Sequence, residues 1–266
     1  MNEAELVYSH LLNCDRLSLY LNKDTYLDRA KTVQASRIFK RRIAHEPLQY
    51  ILGSCEFMGL EFKTDKRALI PRPETEILVD YALKKLKLKP KTCRPKVLDL
   101  GTGSGCIAIS IAKLLPLASV WASDISKPAL QLAQENADLQ KVKIKFMHSD
   151  IFSAFKVNPV KFDLIISNPP YIPVGQLKGL ADEISFEPVV ALAAGNEGLD
   201  FYRAIISQAA RYLNADGYLA LEVGDRQAEP VARICATHNF NVPDIFKDYN
   251  GIKRVVITKQ RAWTNG

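Results

Sequence analysis

Long apolar runs are missing from this chain. No stretch approaches the roughly 20 apolar residues a membrane helix needs, and the longest are broken within about ten. No leader is legible either. The opening MNEAELVYSH has early acids and no basic flank before an apolar run, so a cytoplasmic location without membrane attachment is expected. Cysteine is scarce: five residues, Cys14, Cys55, Cys93, Cys106 and Cys235. An odd number with no CxxC pair and no nearby His pattern excludes a disulfide framework and a structural zinc site, and no metal is expected. Internal repeats and low-complexity segments are absent.

What is present is an ordinary globular balance, with 266 residues, 47% hydrophobic and 24% charged. That length accommodates one α/β domain plus an appendage of roughly 50–80 residues, and the composition excludes global disorder. The net charge of +7 and pI of about 9.1 permit a nucleic-acid or acidic partner without demonstrating one. Lys84–Lys96 (KKLKLKPKTCRPK) holds seven basic residues and no acid. It reads as the solvated end of a helix and a loop, with contact to RNA phosphate as the other reading.

Glycine is withheld until Gly53 and proline until Pro47. Apolar positions recur at three and four through Leu6, Val7, Leu11 and Leu12, and again from Tyr26 through Ile38 to Ile43. Residues 1–48 therefore read as helices, punctuated by the polar LNKDT turn. QYILGSCEFMGLEFK, at 49–63, has two glycines among aromatic and β-branched residues and reads as a hairpin. From Lys96 strands and helices alternate: KVLDL, SVWASD, VKIKFMHSD, KFDLIISN and GYLALEV are predicted strands. Helices are predicted between them, at about Leu199–Leu213 and at Arg226–His238, and two final strands near Asn241–Phe246 and Lys253–Thr258. Such alternation implies an α/β fold with a mostly parallel sheet covered on both faces. The expected division is a helical domain at 1–48, a hairpin linker at 49–68 and the α/β domain at 69–266.

Three sites in that domain carry chemistry. The first is DLGTGSG, directly after a strand and opening a helix. Gly101, Thr102, Gly103, Ser104 and Gly105 form a turn that a ligand can approach closely, beside the free N–H groups of a helix start. The spacing is GxGxG, and Cys106 stands at the sixth position, where a dinucleotide fingerprint has its third glycine. The second is Asp124, at the tip of SVWASD, where an acid accepts from ribose hydroxyls. It could instead cap the next helix, although Ser126 is the more natural cap. The third is SNPPYIP. Pro169 and Pro170 fix φ and remove two donors, and Asn168 is held extended by the proline after it. That stiff turn presents carbonyl acceptors beside a flat Tyr171, a setting suited to a planar NH2 group. No His or Cys lies near it.

DLGTGSG, the downstream Asp and NPPY together resemble the class I methyltransferases that use S-adenosylmethionine on amino groups conjugated to a π system. With IPRPETE at 70–76 and the FEP–ALxxGxxGL pattern from Phe186 to Leu199, the chain is similar along its whole length to the release factor glutamine methyltransferases. The resemblance implies a Rossmann-like sheet, mostly parallel with one antiparallel edge strand, and a small N-terminal domain that docks substrate. It implies S-adenosylmethionine as methyl donor and class 1 peptide chain release factors as partners, modified at the glutamine of their Gly-Gly-Gln motif. No obligatory nucleic acid and no oligomer are expected. Residues 101–105 would meet the donor's methionine portion, Asp124 its ribose, and Asp150 and Ile151 its adenine, with Asn168 also touching the donor, although the Ser149–Asp150 pair could merely cap a turn. Arg72, Pro73 and Thr75 would lie near cofactor and substrate entrance. Glu76 suits a helix-start capping pattern equally well. Asn168 and Pro169 would accept the amide hydrogens, with Tyr171 and Phe57 as apolar walls, though Phe57 could equally be hairpin core.

Rival readings differ in what they leave unexplained. A methyltransferase for a glutamine of a ribosomal protein would have a nearly identical site. A DNA adenine amino-methyltransferase must extrude a base and usually carries a recognition domain, yet only 95 residues follow Tyr171. A non-enzymatic RNA-binding module leaves NPPY and Asp124 without purpose. A nicotinamide oxidoreductase is disfavoured by GxGxG and by the lack of a base for hydride chemistry.

Overall fold

The structure is a computed structural model that describes residues 2–21, 26–87 and 94–261. Most of the LNKDT turn and the centre of the basic segment, residues 88–93 with Cys93, lie outside the described residues.

Local capping starts the N-terminal helices. In α1 (Glu3–Leu12) the Asn2 side chain accepts from the Glu5 N–H at 2.8 Å and Glu5 accepts from the Asn2 N–H at 3.1 Å, a reciprocal box. After α2 (Arg16–Leu21), α3 (Arg29–Ile43) is capped by Asp28, which accepts from the Lys31 N–H. Val7, Leu11, Ala35 and Ile38 meet Leu48 in a small separate core.

The hairpin begins later than the sequence predicts. Leu48–Leu52 is a fourth helix, α4. Pro47 sets its start, and Leu48 and Ile51 point their apolar groups at the α1–α3 core, a tertiary demand that overrides the β-like composition of QYIL. β1 (Ser54–Phe57) and β2 (Leu60–Lys63) then pair antiparallel around Met58 and Gly59, both at positive φ (53° and 71°), as a tight hairpin turn requires.

The remaining elements follow the predicted order: α5 (Pro73–Lys87), β3 (Lys96–Leu100), α6 (Cys106–Leu114), β4 (Ser119–Asp124), α7 (Lys127–Leu139), β5 (Lys145–His148), β6 (Phe162–Ser167), α8 (Asp200–Ala209), β7 (Leu213–Glu222), α9 (Ala228–Ala236), β8 (Asp244–Lys247) and β9 (Lys253–Lys259). Seven strands form one sheet in the order β5-β4-β3-β6-β7-β9-β8. The chain runs outward from β3 to β5 and then returns to place β6 on the other side of β3, so the switch point falls between β3 and β6.

One position differs from expectation. The reversed strand is β9, which lies one in from the edge between β7 and β8. Val255, Val256 and Ile257 make β9 apolar on both faces, whereas β8 exposes Asp244 and Lys247 and suits the rim. Between β6 and α8, short 3-10 turns at Val174–Gly179, Asp182–Phe186 and Val189–Ala191 replace regular structure.

Strand alternation divides the core. Val97, Leu164, Ile166 and Ala220 face the helices α5 and α6. Leu98, Leu100, Ile165, Leu219 and Leu221 face α8 and α9. The hairpin is fastened to this body by Asn136 on α7, which is 0% exposed. Its Oδ1 accepts from the Lys63 N–H at 2.7 Å, and its Nδ2 donates to the carbonyls of Lys63 and Ser104 at 3.1 and 2.9 Å. Asn136→Ala strands the buried Ser104 carbonyl and the partly buried Lys63 backbone groups, so a loss of about 2–4 kcal/mol is expected. Urea unfolding measures it, and a loss below about 1 kcal/mol, the net worth of one ordinary hydrogen bond, contradicts this fastening role.

Candidate active site

Register puts the three sequence sites side by side. Leu100 pairs with Ser123 on one side and with Ser167 on the other, so Gly101, Asp124 and Asn168 each follow the last paired position of adjacent strands. The Ser167 hydroxyl donates to the Leu100 carbonyl at 2.7 Å, and the Gly101 and Thr102 N–H groups both donate to the Ser123 carbonyl. The three strand tips therefore form one rigid ledge.

A cavity of about 220 Å³ opens on that ledge, lined by Gly101, Thr102, Gly103, Ser104, Asp124, Asp150, Ile151, Pro170 and Thr75 among others. A second, of about 450 Å³, is lined by Tyr171, Glu74, Glu222 and Arg254, with Pro47, Leu48 and Gln49 from the N-terminal region. Asn168, Pro169 and Arg72 line both cavities. The asparagine turn thus stands where the two spaces meet.

Within the smaller cavity Asp124 does more than face a ligand. Its Oδ2 accepts from the Gly103 N–H at 2.9 Å and its Oδ1 from the Ser126 N–H at 2.8 Å. Burial raises its pKa against those hydrogen bonds. Capping of α7 falls to Ser126, whose hydroxyl oxygen accepts from the Ala129 N–H. Ser149 and Ser153 organise the turn around Asp150, leaving that residue exposed at the rim. Beneath the glycine turn Asp99 is 0% exposed, with Oδ2 accepting from the Thr102 hydroxyl at 2.6 Å and the Ala108 N–H at 3.2 Å. Burial pushes its pKa up to about 7.

Two expected site residues lie elsewhere. Gly105 lines neither cavity; a Cβ there would meet Ala133 on α7 at 3.1 Å, so its smallness serves helix packing. Phe57 is 1% exposed and edge-on to Phe62 with ring centres 6.0 Å apart, so it is hairpin core. Glu76 is not a helix cap either: its Oε1 accepts from the Met58 N–H at 2.6 Å and holds the hairpin turn.

The structure also brings in residues that the sequence pattern passed over. Glu187, of the FEP triplet, has an almost fully buried carboxylate that pairs with Arg72 and accepts from the Ile70 N–H. Burial raises its pKa, opposed first by the Arg72 charge. Gly198 packs so closely on the Tyr171 carbonyl that a side chain has no room there, and Gln227 donates to the same carbonyl at 3.0 Å. The 186–199 motif is thereby a buttress for the NPPY turn. Burial pushes the Tyr171 phenol up to about 12. Glu222 ends β7, 2% exposed. An acid closing the apolar run YLALEV was the signal available for it. It accepts from the Thr75 hydroxyl at 2.6 Å, and Thr75 accepts from Asn168 Nδ2 at 3.0 Å.

Burial also raises the Glu222 pKa to about 7 from an ordinary 4.5, against the Thr75 hydrogen bond and the Arg254 charge. Between those values the folded protein holds a proton that the unfolded chain has released. Stability therefore falls as pH rises from about 4.5 to about 7. Glu222→Gln removes that loss, so its stability relative to the parent should improve by about 3 kcal/mol from pH 4 to pH 8. Thermal melts at the two pH values measure this. A difference that does not change with pH contradicts the assignment.

Residues 75–184 match the Methyltransferase small domain family, and residues 1–53 match the PrmC N-terminal domain. The release factor glutamine methyltransferase of Thermodesulfovibrio yellowstonii is 40% identical, covering 98% of this chain and 92% of that protein. That of Geobacter sulfurreducens is 42% identical, covering 96% and 87%. Among solved structures, the T. thermophilus 16S rRNA N2 G1207 methyltransferase in complex with AdoMet and guanosine shares the fold. It has a TM-score of 0.56, 22% identity and coverage of 78% of this chain and 50% of that one. Identity at this level along nearly the whole of two relatives shows that the chain belongs to the release factor glutamine methyltransferase family.

Proposed function

We propose that this chain transfers a methyl group from S-adenosylmethionine to the side-chain amide nitrogen of the glutamine in the Gly-Gly-Gln motif of class 1 peptide chain release factors. The observation that carries the reading is the shared edge: Asn168 and Pro169 border both cavities, so a donor in one and a carboxamide in the other meet there.

The smaller cavity fits the donor by its chemistry. Asp124 offers carboxylate acceptors for ribose hydroxyls, Gly101 and Gly103 let backbone come close, and Ile151 supplies apolar surface beside Asp150. When bound, S-adenosylmethionine supplies an electrophilic methyl group on a sulfonium. Every remaining task belongs to the protein. A glutamine nitrogen is a poor nucleophile, because its lone pair is delocalised into the carbonyl, so positioning and electrostatics supply the catalysis. Asn168 Oδ1 and the Pro169 carbonyl accept the two amide hydrogens, which turns the nitrogen toward the smaller cavity and favours positive charge developing on it; one of those protons leaves to water after transfer, giving the neutral N-methyl amide. Tyr171 closes one side as a flat wall.

The larger cavity favours a protein substrate. Five glutamates line it (Glu3, Glu74, Glu183, Glu187 and Glu222) against two arginines, and with Glu187 paired to Arg72 and Glu3 and Glu183 to Arg42 it presents no cationic track for a nucleic-acid backbone. Part of its wall is Pro47, Leu48 and Gln49, and Arg42 of α3 bonds both Glu3 and Glu183 across it. This supports the N-terminal helices α1–α4, which end at Leu52 rather than at residue 48, as the docking element for the release factor. The enzyme acts as a cytoplasmic monomer in this reading and uses no metal.

Incubation with labelled S-adenosylmethionine should label a purified class 1 release factor, and not its Gly-Gly-Gln glutamine mutant, ribosomal protein or DNA. Label on ribosomal protein or DNA instead refutes the substrate assignment. Asn168→Ala should cut turnover by about 10³-fold while affinity for the methyl donor changes little, since Asn168 acts on the reacting glutamine nitrogen and not on the sulfonium. Asp124→Ala should weaken donor binding in calorimetry by at least about tenfold, the loss of a charged hydrogen-bond acceptor. Unchanged binding removes the ribose role.

A further inference from the structure

Thr75 and Glu222 stand directly behind the residue on which the proposed methyl transfer depends. Thr75 is on the first turn of α5 and Glu222 at the tip of β7; both are 2% exposed. The Thr75 side chain lies between the two other groups, 2.6 Å from Glu222 Oε2 and 3.0 Å from Asn168 Nδ2.

Counting hydrogens fixes the polarity of this chain. Above about pH 7, where Glu222 is ionised, its carboxylate can only accept, and a threonine hydroxyl has one hydrogen. Thr75 donates that hydrogen to Glu222, so its oxygen can only accept from Asn168. The end of the asparagine amide facing Thr75 must then be the NH2 group. A flipped amide would set its oxygen against an oxygen with no hydrogen to give. Among the described residues no protein donor reaches Asn168 Oδ1, which is therefore available on the side where both cavities meet.

We infer that Thr75 and Glu222 are positioning residues: a carboxylate–hydroxyl–amide relay holds Asn168 with its oxygen, not its NH2 group, toward the glutamine that accepts the methyl. The inference rests on the glutamine-methylation reading and adds what enforces its geometry. A flipped Asn168 presents hydrogens to the hydrogens of the substrate amide. The substrate can then be held only the wrong way round, with its oxygen toward Asn168. The relay discriminates nitrogen from oxygen without touching the substrate itself.

Five variants test this in parallel, each read for turnover, KM for the release factor, donor affinity and melting temperature. Thr75→Val keeps the shape and removes the hydroxyl. It should lose about 30- to 100-fold in turnover, as expected for misplacing a reacting group, with donor affinity within about threefold. Thr75→Ser restores the hydroxyl and should recover turnover to within about threefold of the parent, because the same relay can form. Glu222→Met removes the acceptor and frees Thr75 to bond Asn168 Oδ1. It should match Thr75→Val, and the double variant should be no worse than either, since the relay acts as one unit. Asn168→Ala tests the underlying reading separately. If Asn168→Ala abolishes turnover while Thr75→Val stays within about twofold, or if Thr75→Ser is no better than Thr75→Val, the relay is overturned and the methylation reading stands. If Asn168→Ala itself keeps near-parental turnover, both fall.

Discussion

The orientation of one carboxamide is the constraint on which the site depends. Asn168 borders both cavities, and its usefulness lies in which end of its amide faces them. Much of the surrounding structure can be understood as support for that side chain. Prolines 169 and 170 stiffen the backbone that carries it. Gln227 and Gly198 seat the Tyr171 carbonyl behind it, and Ser167 ties its strand to the glycine turn. Glu222 and Thr75 come from the opposite side, from β7 and α5, which otherwise have no reason to place a buried acid beside a threonine.

That acid is costly. A carboxylate in an apolar strand end with a threonine hydroxyl as its hydrogen-bond donor is poorly solvated, and its pKa rises accordingly. The Arg254 charge opposes the rise without forming a direct ion pair there; Arg254 bonds Asp248 instead. Asp99 is in a similar position under the glycine turn, where its Oδ1 has no hydrogen-bond partner among the described residues. Both acids lie next to the two cavities rather than in the distant core. Such local expense beside a cleft is where function and stability compete.

The α/β body was legible because its signals are local and repeated. KVLDL, SVWASD and FDLIIS are short apolar runs bounded by turns, and the residues at or just past the tip of each run, Gly101, Asp124 and Asn168, proved to be neighbours because the strands pair in the order β4-β3-β6. The region at 49–52 misled because tertiary contacts to the N-terminal helices, not composition, decide its structure. Gly105 and Phe57 carry residue types that suit a site equally well as packing, and only their surroundings separate the two uses. Glu222 was legible only as an acid at the end of an apolar strand, and its link to Asn168 was not, because it reaches Asn168 through a third residue 147 positions away from it in the chain. The family resemblance supplied the identity of the chemistry; the relay behind Asn168 required the three-dimensional arrangement.

The most direct measurement is a crystal structure of the protein with S-adenosylhomocysteine and a peptide containing Gly-Gly-Gln. The account predicts the glutamine nitrogen within ~3 Å of both Asn168 Oδ1 and the Pro169 carbonyl oxygen, facing the sulfur across the junction of the cavities. A glutamine bound with its carbonyl oxygen toward Asn168, or a sulfur directed away from that junction, contradicts it.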